Sequence, residues 1–578
     1  MRRKTEVKSR VAHAAPAAGI IVLKFGSSVL RTVHDLPNAV HEIYRWVREG
    51  QRVIAVVSAI GDKTEQLIQA SQIMTGTPEP YATAELLSTG ERTCAALLAI
   101  ALDRAGVPAR VVTPREIGFE VSGPPLDGEP TGLDVALLGG LLHSAPVLIL
   151  PGFFGTDRSG RTHCLGRGGS DLTAAFLAVS LYARCRLIKD VDGVYESDPA
   201  DPTSHPRRFR TLNYETALEV AGQLIQPKAV AFLEKHRASC EVAALTSRSH
   251  SLVGPGPTEI SASEAARLAP KEIVILGLGT VGFGVYQRLI ANPDRFRVRG
   301  ILVRDRKKHE ALIVPRELLH TSLQTLSNLK PDLVIDALPG LSPSFELIAH
   351  YLSAGIDVVT ANKAVLAEDG AELMRFAHHS KAELRYAATV GGAAPMLEAC
   401  TRHAREIASL AGVLNGTCNF VLETCAAGAT LRESIVEAER LGFAESNPSE
   451  DLSGRDAARK LQILARRAFG AEVPLSFQEL DEKVAGSARA VTAFGERLRQ
   501  VARATREGGR VVASVGFERI RPDSPLFDVP GEWNALSLTL GSGDVLTVRG
   551  RGAGRWPTTE ALIADVFDLV RIRQTSRD

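Results

Sequence analysis

Short, almost continuous apolar runs alternate with longer amphipathic stretches along the chain. Ile20–Lys24, Arg52–Ser58, Val147–Pro151 and Arg186–Lys189 read as buried strands, with helices predicted over Thr83–Leu102 and Leu172–Leu181. A second series follows. Glu272–Leu276, Arg299–Val303, Asp332–Asp336 and Asp357–Val359 are strand-like, and a helix over Phe283–Ile290 follows the first of them. This alternation predicts an α/β architecture with largely parallel sheets. From about Ala387 the pattern shifts to longer helices and an antiparallel sheet. Trp533–Thr539 and Asp544–Val548 are late strands, and Thr558–Val570 is a closing helix.

Between the two series lies Ser247–Pro270, rich in Ser, Pro and Gly, which marks the main boundary. The predicted organisation is a flexible tail over 1–18, a first domain over 19–248 and a linker over 249–270. Further segments over 271–395, 396–530 and 531–578 follow.

Composition narrows the function classes. The 578 residues are 45% hydrophobic and 23% charged, with a net charge of +2, so neither disorder nor a global attraction to nucleic acid or anionic membrane is expected. The longest apolar stretch, near Ala145–Phe154, is broken by Pro and Gly and falls short of the ~20 residues of a membrane span. Seven scattered cysteines without a CxxC pair suit reduced thiols in a cytoplasmic enzyme better than a disulfide framework or a zinc site.

Two glycine loops carry the chemistry. Gly166–Asp171 reads GRGGSD and opens a helix. Its glycines admit a ligand to the backbone, the helix N-terminus favours an anion, and Arg167 adds a fork of donors. A tight turn with a solvated arginine is the plain alternative. Lys24 ends a buried strand before a Gly/Ser turn, where a lysine can bridge phosphates. The second loop, Gly277-Leu278-Gly279-Thr280-Val281-Gly282, is GxGxxG between a strand and a helix, a dinucleotide fingerprint in its proper context. The next strand ends in Val303-Arg304-Asp305-Arg306-Lys307-Lys308. The acid suits the ribose hydroxyls of NAD and the basic cluster suits the 2′-phosphate of NADP, so the reading is NADP, with NAD as the alternative. Thr360-Ala361-Asn362-Lys363 places Lys363 at the carboxyl edge of the sheet. Asp456 and Lys460, four apart in DLSGRDAARK, share a helix face. They suit a proton donor held beside carboxylates, or a plain ion pair with Ser453 and Asp456 as a helix cap.

The first half resembles the catalytic domain of aspartate kinase, of the amino-acid kinase family, over most of residues 20–230. The carriers are VLKFGSSVL, VVSAIGDKTEQL, STGERTCAALL, PGFFGTDRSGRTHCLGRGGSD and KDVDGVYESDP. The resemblance implies an α/β sandwich that phosphorylates L-aspartate with Mg-ATP. It puts Lys24 on the phosphates, Glu91, Arg167, Ser170 and Asp171 around the amino acid, and Asp190, Asp192 and Tyr195 near ATP. Four positions depart from the family pattern: Ser27 replaces a glycine, Lys189 a threonine, Ala200 an arginine and Gln223 a lysine. They leave open a non-catalytic, ligand-binding or oligomerising module. Glu91 and the Pro151–Asp171 signature favour aspartate over another acid such as glutamate.

The second half resembles homoserine dehydrogenase across nearly all of residues 271–575. The carriers are GLGTVG, TANKAVLA, YAATVGGAAPML, LNGTCNF, GFAESNPSEDLSGRDAARK and GRGAGRWPTTEALIADV. The resemblance implies a Rossmann domain joined to an α+β substrate and dimerisation domain. The activity it implies is NAD(P)H-dependent interconversion of L-aspartate 4-semialdehyde and L-homoserine, in threonine and methionine biosynthesis. By it, Gly277, Gly279, Thr280, Val281, Gly282, Arg304, Thr360 and Lys363 meet the cofactor. Lys460 is the proton donor, Lys363 and Asp456 complete the catalytic set, and Glu445, Asp451 and Lys460 hold the substrate. Backbone carbonyls of Val390 and Gly392 are implied to bind a monovalent cation, although Ala387 stands where many relatives have a glutamate. The expected partners are small molecules and a second copy of the chain, as a homodimer or higher oligomer, with no nucleic acid or membrane. No ACT-type regulatory domain is visible, so allosteric inhibition by threonine or lysine is not expected.

Overall fold

The computed structural model describes residues 19–201, 206–222, 224–247, 249–264, 269–444 and 447–575. The chain forms two compact units: Met1–Asp103 with Pro108–Arg267, and Arg104–Val107 with Leu268–Asp578.

The first unit is built on a nine-stranded sheet among the described residues. Its centre is parallel and runs through Cys240–Ala244, Arg184–Lys189, Ile20–Phe25, Arg52–Val57, Val147–Pro151 and Ala109–Val111. These strands carry helices on their faces, so they read as the nearly unbroken apolar runs seen in the sequence. Val22, Ile54, Leu148 and Leu187 from this sheet share one core with Leu172, Phe176 and Leu177 of the helix Gly169–Leu181. A small four-stranded sheet, Glu129–Gly132, Glu120–Ser122, Phe154–Thr156 and Thr162–Cys164, frames the approach to the GRGGSD loop. Its strands are three or four residues long, too short for periodicity to reveal.

The linker expected over 249–270 is corrected by the structure. Ser251–Val253 pairs antiparallel with Cys240–Ala244, and Glu259–Glu264 pairs antiparallel with Arg207–Leu212 at the edge of the same sheet. The Ser-, Pro- and Gly-rich composition reflects the turns between these short strands. The sheet is therefore mixed at this end rather than parallel throughout.

The second unit opens with six parallel strands. In chain order they are Lys271–Leu276, Phe296–Leu302, Leu319–His320, Leu333–Asp336, Asp357–Thr360 and Leu384–Arg385, and their spatial order is 3-2-1-4-5-6. This is the doubly wound dinucleotide-binding order, with its crevice at the carboxyl edge where the order reverses. The second strand starts earlier than the Arg299–Val303 expected, because Phe296 tucks its ring edge-on against Phe567, 5.0 Å between centroids.

A six-stranded, mostly antiparallel sheet follows. It contains the long hairpin Arg497–Glu507 and Arg510–Ile520 and the strands Ile407–Val413, Trp533–Leu540 and Val545–Arg551. The helix Arg455–Phe469 lies on it, burying Leu461 and Leu464 in one core with Ala502, Val515 and Leu536. The last helix, Arg555–Thr575, is longer than expected. Ala561, Leu562 and Val566 close the core around Val285 and Leu289 of the glycine-loop helix. Among the described residues no helix is long and apolar enough to cross a membrane.

Candidate functional sites

In the second unit, the strand Lys271–Leu276 hands over to the helix Thr280–Ile290 through the glycine loop. Gly277 sits at φ +94°, where a side chain is strained. A Cβ on Gly279 would meet open space, so the helix N-terminus is free for an anion. A Cβ on Gly282 would strike the carbonyl oxygen of Gly277. The third glycine thus closes the turn onto its own strand end. Arg304 is exposed beyond the end of the neighbouring strand. The carboxylate of Asp305 is drawn into local structure, accepting the Lys307 N–H at 2.9 Å as the cap of a short helix.

Deeper in the crevice, a buried acid organises the loop edge. Asp336 accepts hydrogen bonds from Ser344 and Thr360, both 2.8 Å from Oδ2, and from the Leu338 N–H. Burial pushes its carboxyl up to about 6, against the pull of these donors. Thr360 Oγ1 in turn accepts the Asn362 N–H, and Asn362 donates to the carbonyls of Leu338 and Gly340. Asn362 also caps the helix Lys363–Ser380. Lys363 is therefore fixed as the first residue of that helix.

The helix Arg455–Phe469 meets Lys363 with Asp456. The Lys363 ammonium lies 2.5 Å from Asp456 Oδ1, and the Lys460 ammonium 2.8 Å from Oδ2. Lys460 also donates to the Leu414 carbonyl at 2.7 Å. Asp456 and Lys460 are buried, whereas the Lys363 side chain is 43% exposed. Burial would raise the Asp456 carboxyl, but the two lysines hold it well below the usual carboxylate range. Burial would lower Lys363, and Asp456 more than offsets this, leaving it raised. Asp451 is raised by burial and by the nearby Asp456 charge. The anticipated helix cap does not form: the N-cap is Gly454 at φ +81°, which frees Asp456 for the two lysines.

Asn415 went unnoticed in the sequence although it lies in LNGTCNF. It donates to Asp451 at 2.6 Å and to Asp456 at 2.8 Å, tying both carboxylates to the start of the helix Gly416–Ala426. Glu445 lies outside the described residues. Val390 and Gly392 lie in the segment after the short helical turn Ala387–Thr389, with Val390 buried and Gly392 at φ +53°. Ala387 brings no carboxylate; its N–H donates to Asp565 at 2.9 Å.

In the first unit, Lys24 reaches Asp171 at 2.8 Å, and Lys189 reaches the same carboxylate at 3.1 Å. Asp171 stands in the first turn of the helix Gly169–Leu181, which starts from Gly168 at φ +77°. Ser170 is buried beside it, and Arg167 is exposed on the loop. Glu91 is 2% exposed. One of its oxygens accepts the Ala59 N–H at 3.2 Å and the other has no partner. Burial pushes its carboxyl up to about 7, against the pull of the Ala59 amide and the Lys24 charge. Lys228 steadies the GRGGSD loop through the Leu165 carbonyl at 3.0 Å. On the following turn, Tyr195 donates to Asp192 at 2.6 Å, and Arg208, which the sequence did not suggest, pairs with Asp192 at 3.3 Å. Asp190 is more open, 3.7 Å from Arg31. Gln223 lies outside the described residues.

Residues 277–387 match the NAD binding domain of homoserine dehydrogenase, 395–567 the homoserine dehydrogenase model, and 19–244 the amino acid kinase family. A homoserine dehydrogenase from Synechocystis sp. is 32% identical over 328 residues, covering 53% of this chain and 74% of that protein. The chain belongs to the homoserine dehydrogenase family. Homoserine dehydrogenases from Bacillus subtilis and Corynebacterium glutamicum are 30% and 31% identical, each covered over 72% of its length by 51% and 52% of this chain. A solved homoserine dehydrogenase from Thiobacillus denitrificans aligns at TM-score 0.49 with 31% identity, over 53% of this chain and 74% of that one. The expected joining of an amino acid kinase domain to a homoserine dehydrogenase is borne out, as is a nicotinamide-cofactor domain within it.

The Glu91 environment sets a pH dependence. Its folded pKa lies above the ordinary glutamate value of 4.5, so between about pH 4.5 and 7 the folded state binds more protons and stability falls as pH rises. At ~1.4 kcal/mol per pH unit, the loss across this window is at most about 3.5 kcal/mol. In a Trp533→Phe, Trp556→Phe background, Trp46 reports alone on the first unit. Urea unfolding at pH 5 and pH 8 is expected to differ in that background, and Glu91→Gln to remove most of the difference.

Proposed function

We propose that residues 271–575 interconvert L-aspartate 4-semialdehyde and L-homoserine, and that the first unit phosphorylates L-aspartate with Mg-ATP. The observation that carries the first assignment is the Lys363–Asp456–Lys460 cluster at the carboxyl edge of a dinucleotide-type sheet.

Gly277, Gly279, Thr280, Val281 and Gly282 fit a pyrophosphate, because the backbone at the helix start is open at Gly279. When bound, the nicotinamide cofactor supplies hydride-transfer chemistry at C4 of the substrate. Lys460 gives its proton to the aldehyde oxygen as reduction proceeds and recovers it in the oxidation direction. Asp456 and the Leu414 carbonyl aim the Lys460 ammonium. Lys363, on the more open side, contacts cofactor and substrate; Thr360, expected at the cofactor, is fully buried and instead holds the Lys363 turn through Asp336 and Asn362. Asp451, Asp456 and Glu445 take the amino-acid end of the substrate. The exposed Arg304 and its basic neighbours favour NADP over NAD, since Asp305 spends one carboxylate oxygen on its local cap. The carbonyls of Val390 and Gly392 are our proposal for a monovalent cation. Cytoplasmic location and a homodimer or higher oligomer complete the reading, on the resemblance alone.

In the first unit, Lys24 takes the phosphates. The unpartnered oxygen of Glu91 suits the substrate ammonium, and Arg167 with Ser170 suits its carboxylates. Asp190, Asp192 and Tyr195 stand on the nucleotide side.

Three measurements check these roles. Lys460→Met is expected to lower homoserine oxidation by about 10²–10⁴-fold while cofactor binding, read by fluorescence titration, stays near wild type. Retained turnover would remove Lys460 from the proton path. Arg304→Ser is expected to raise the KM for NADP several-fold and leave that for NAD unchanged; equal effects on both would return the preference to NAD. For the kinase unit, aspartyl phosphate trapped with hydroxylamine is expected with aspartate and Mg-ATP and is expected to be lost in Lys24→Met. No trapping beside intact homoserine oxidation would leave a non-catalytic module.

A further inference from the structure

Two lysines in the first unit converge on one carboxylate, and only one is needed to neutralise it. The strands Ile20–Phe25 and Arg184–Lys189 are adjacent and parallel, with Lys24 opposite Leu187 and Phe25 opposite Ile188. Both lysines therefore leave the sheet at its carboxyl edge, facing the N-terminus of the helix Gly169–Leu181. Lys24 lies 2.8 Å from Asp171 Oδ1, and Lys189 lies 3.1 and 3.5 Å from Oδ2 and Oδ1.

All three side chains are at most 10% exposed. Two ammonium groups against one carboxylate leave an excess positive charge in a nearly dry site, and the helix N-terminus adds to it. Glu91 is the other acid near Lys24, and burial keeps its carboxyl at about 7, so it offsets this excess only in part. The Lys24 ammonium is lowered by burial and by repulsion from Lys189, against the pull of Asp171. A buried excess of cations is costly unless an anion arrives to meet it. Gly26 lets the Lys24 ammonium lie close over the backbone, since a Cβ there would stand only 2.8 Å from it.

We propose that Lys189 is a second phosphate-contacting cation of the kinase unit, held with Lys24 on either side of Asp171. The proposal rests on the kinase reading given above. In the reaction, a side-chain carboxylate oxygen of aspartate forms a bond to the γ-phosphorus. The bond from that phosphorus to the β,γ-bridging oxygen breaks, and its electron pair leaves with ADP; no proton is transferred. Negative charge spreads over three equatorial oxygens and the bridging oxygen, more than one ammonium can cover. Each lysine has three N–H donors, so each keeps donors for phosphate while its link to Asp171 fixes its position.

The test compares the full chain with Lys189→Met and Lys189→Arg. Asp171 keeps Lys24 in both variants, so neither leaves an orphaned buried carboxylate. Unchanged hydrogen-exchange protection of the helix Gly169–Leu181 will confirm that the fold is retained. Lys189→Met is expected to weaken Mg-ATP binding about tenfold or more, as the loss of a charge-assisted hydrogen bond does. It is expected to lower the hydroxylamine-trapped aspartyl phosphate rate about 100-fold, with the KM for aspartate within a factor of three. Lys189→Arg is expected to restore part of both. Wild-type binding and rate in Lys189→Met would overturn the proposal and leave the kinase reading standing. Lys189-dependent Mg-ATP binding without any trapped product in the wild type would keep the phosphate contact and reject the kinase reading. Absence of Mg-ATP binding in the wild type would overturn both.

Discussion

Asp456 is almost sealed from water, and an ionised carboxylate is tolerated there because two lysines and an asparagine meet it. Removing both lysines would leave a charge uncompensated in a poorly hydrated site, which is far costlier than losing a surface ion pair. The constraint reaches outward. Lys363 arrives from the dinucleotide domain, Lys460 from the helix that carries Asp456, and Asn415 from the start of a third helix. A single carboxylate thus ties the nucleotide-binding crevice to the domain that completes it.

The glycine loop and the buried Asp336 serve the same end from the other side. Gly282 has no Cβ because the loop folds back onto the Gly277 carbonyl. Asp336 holds Thr360, Thr360 holds the Asn362 amide, and Asn362 fixes the turn from which Lys363 emerges. Chemistry and cofactor geometry therefore share one hydrogen-bonded edge, and the closing helix Arg555–Thr575 seals the core behind it.

The first unit repeats this logic with different elements. Asp171, in a helix first turn, faces lysines from two neighbouring strand ends. In both units an acid near a helix start collects two cations, at least one of them delivered by another element. The carboxylate fixes where the ammonium groups sit.

Much of this was legible in the sequence. The strands Ile20–Phe25, Lys271–Leu276 and Asp357–Thr360 announce themselves as apolar runs because both faces of a parallel sheet are covered. GxGxxG, TANK and DLSGRDAARK identify their loops because each needs particular backbone freedom or spacing, properties local to the chain. Short strands such as Ser251–Val253 carry too few residues for a period and exist only because a neighbouring strand pairs with them, so the supposed linker became a sheet edge. Asp456 offered a local partner, a cap with Ser453, and the tertiary arrangement overrode it. Lys189 read as a departure from a pattern until the parallel register placed it on Asp171. The sequence alone determined which elements form and which loops admit a ligand, because those depend on neighbouring residues. Only the tertiary structure decided which charges share a carboxylate, because residues far apart in the chain must meet in a site too dry to leave them unpaired.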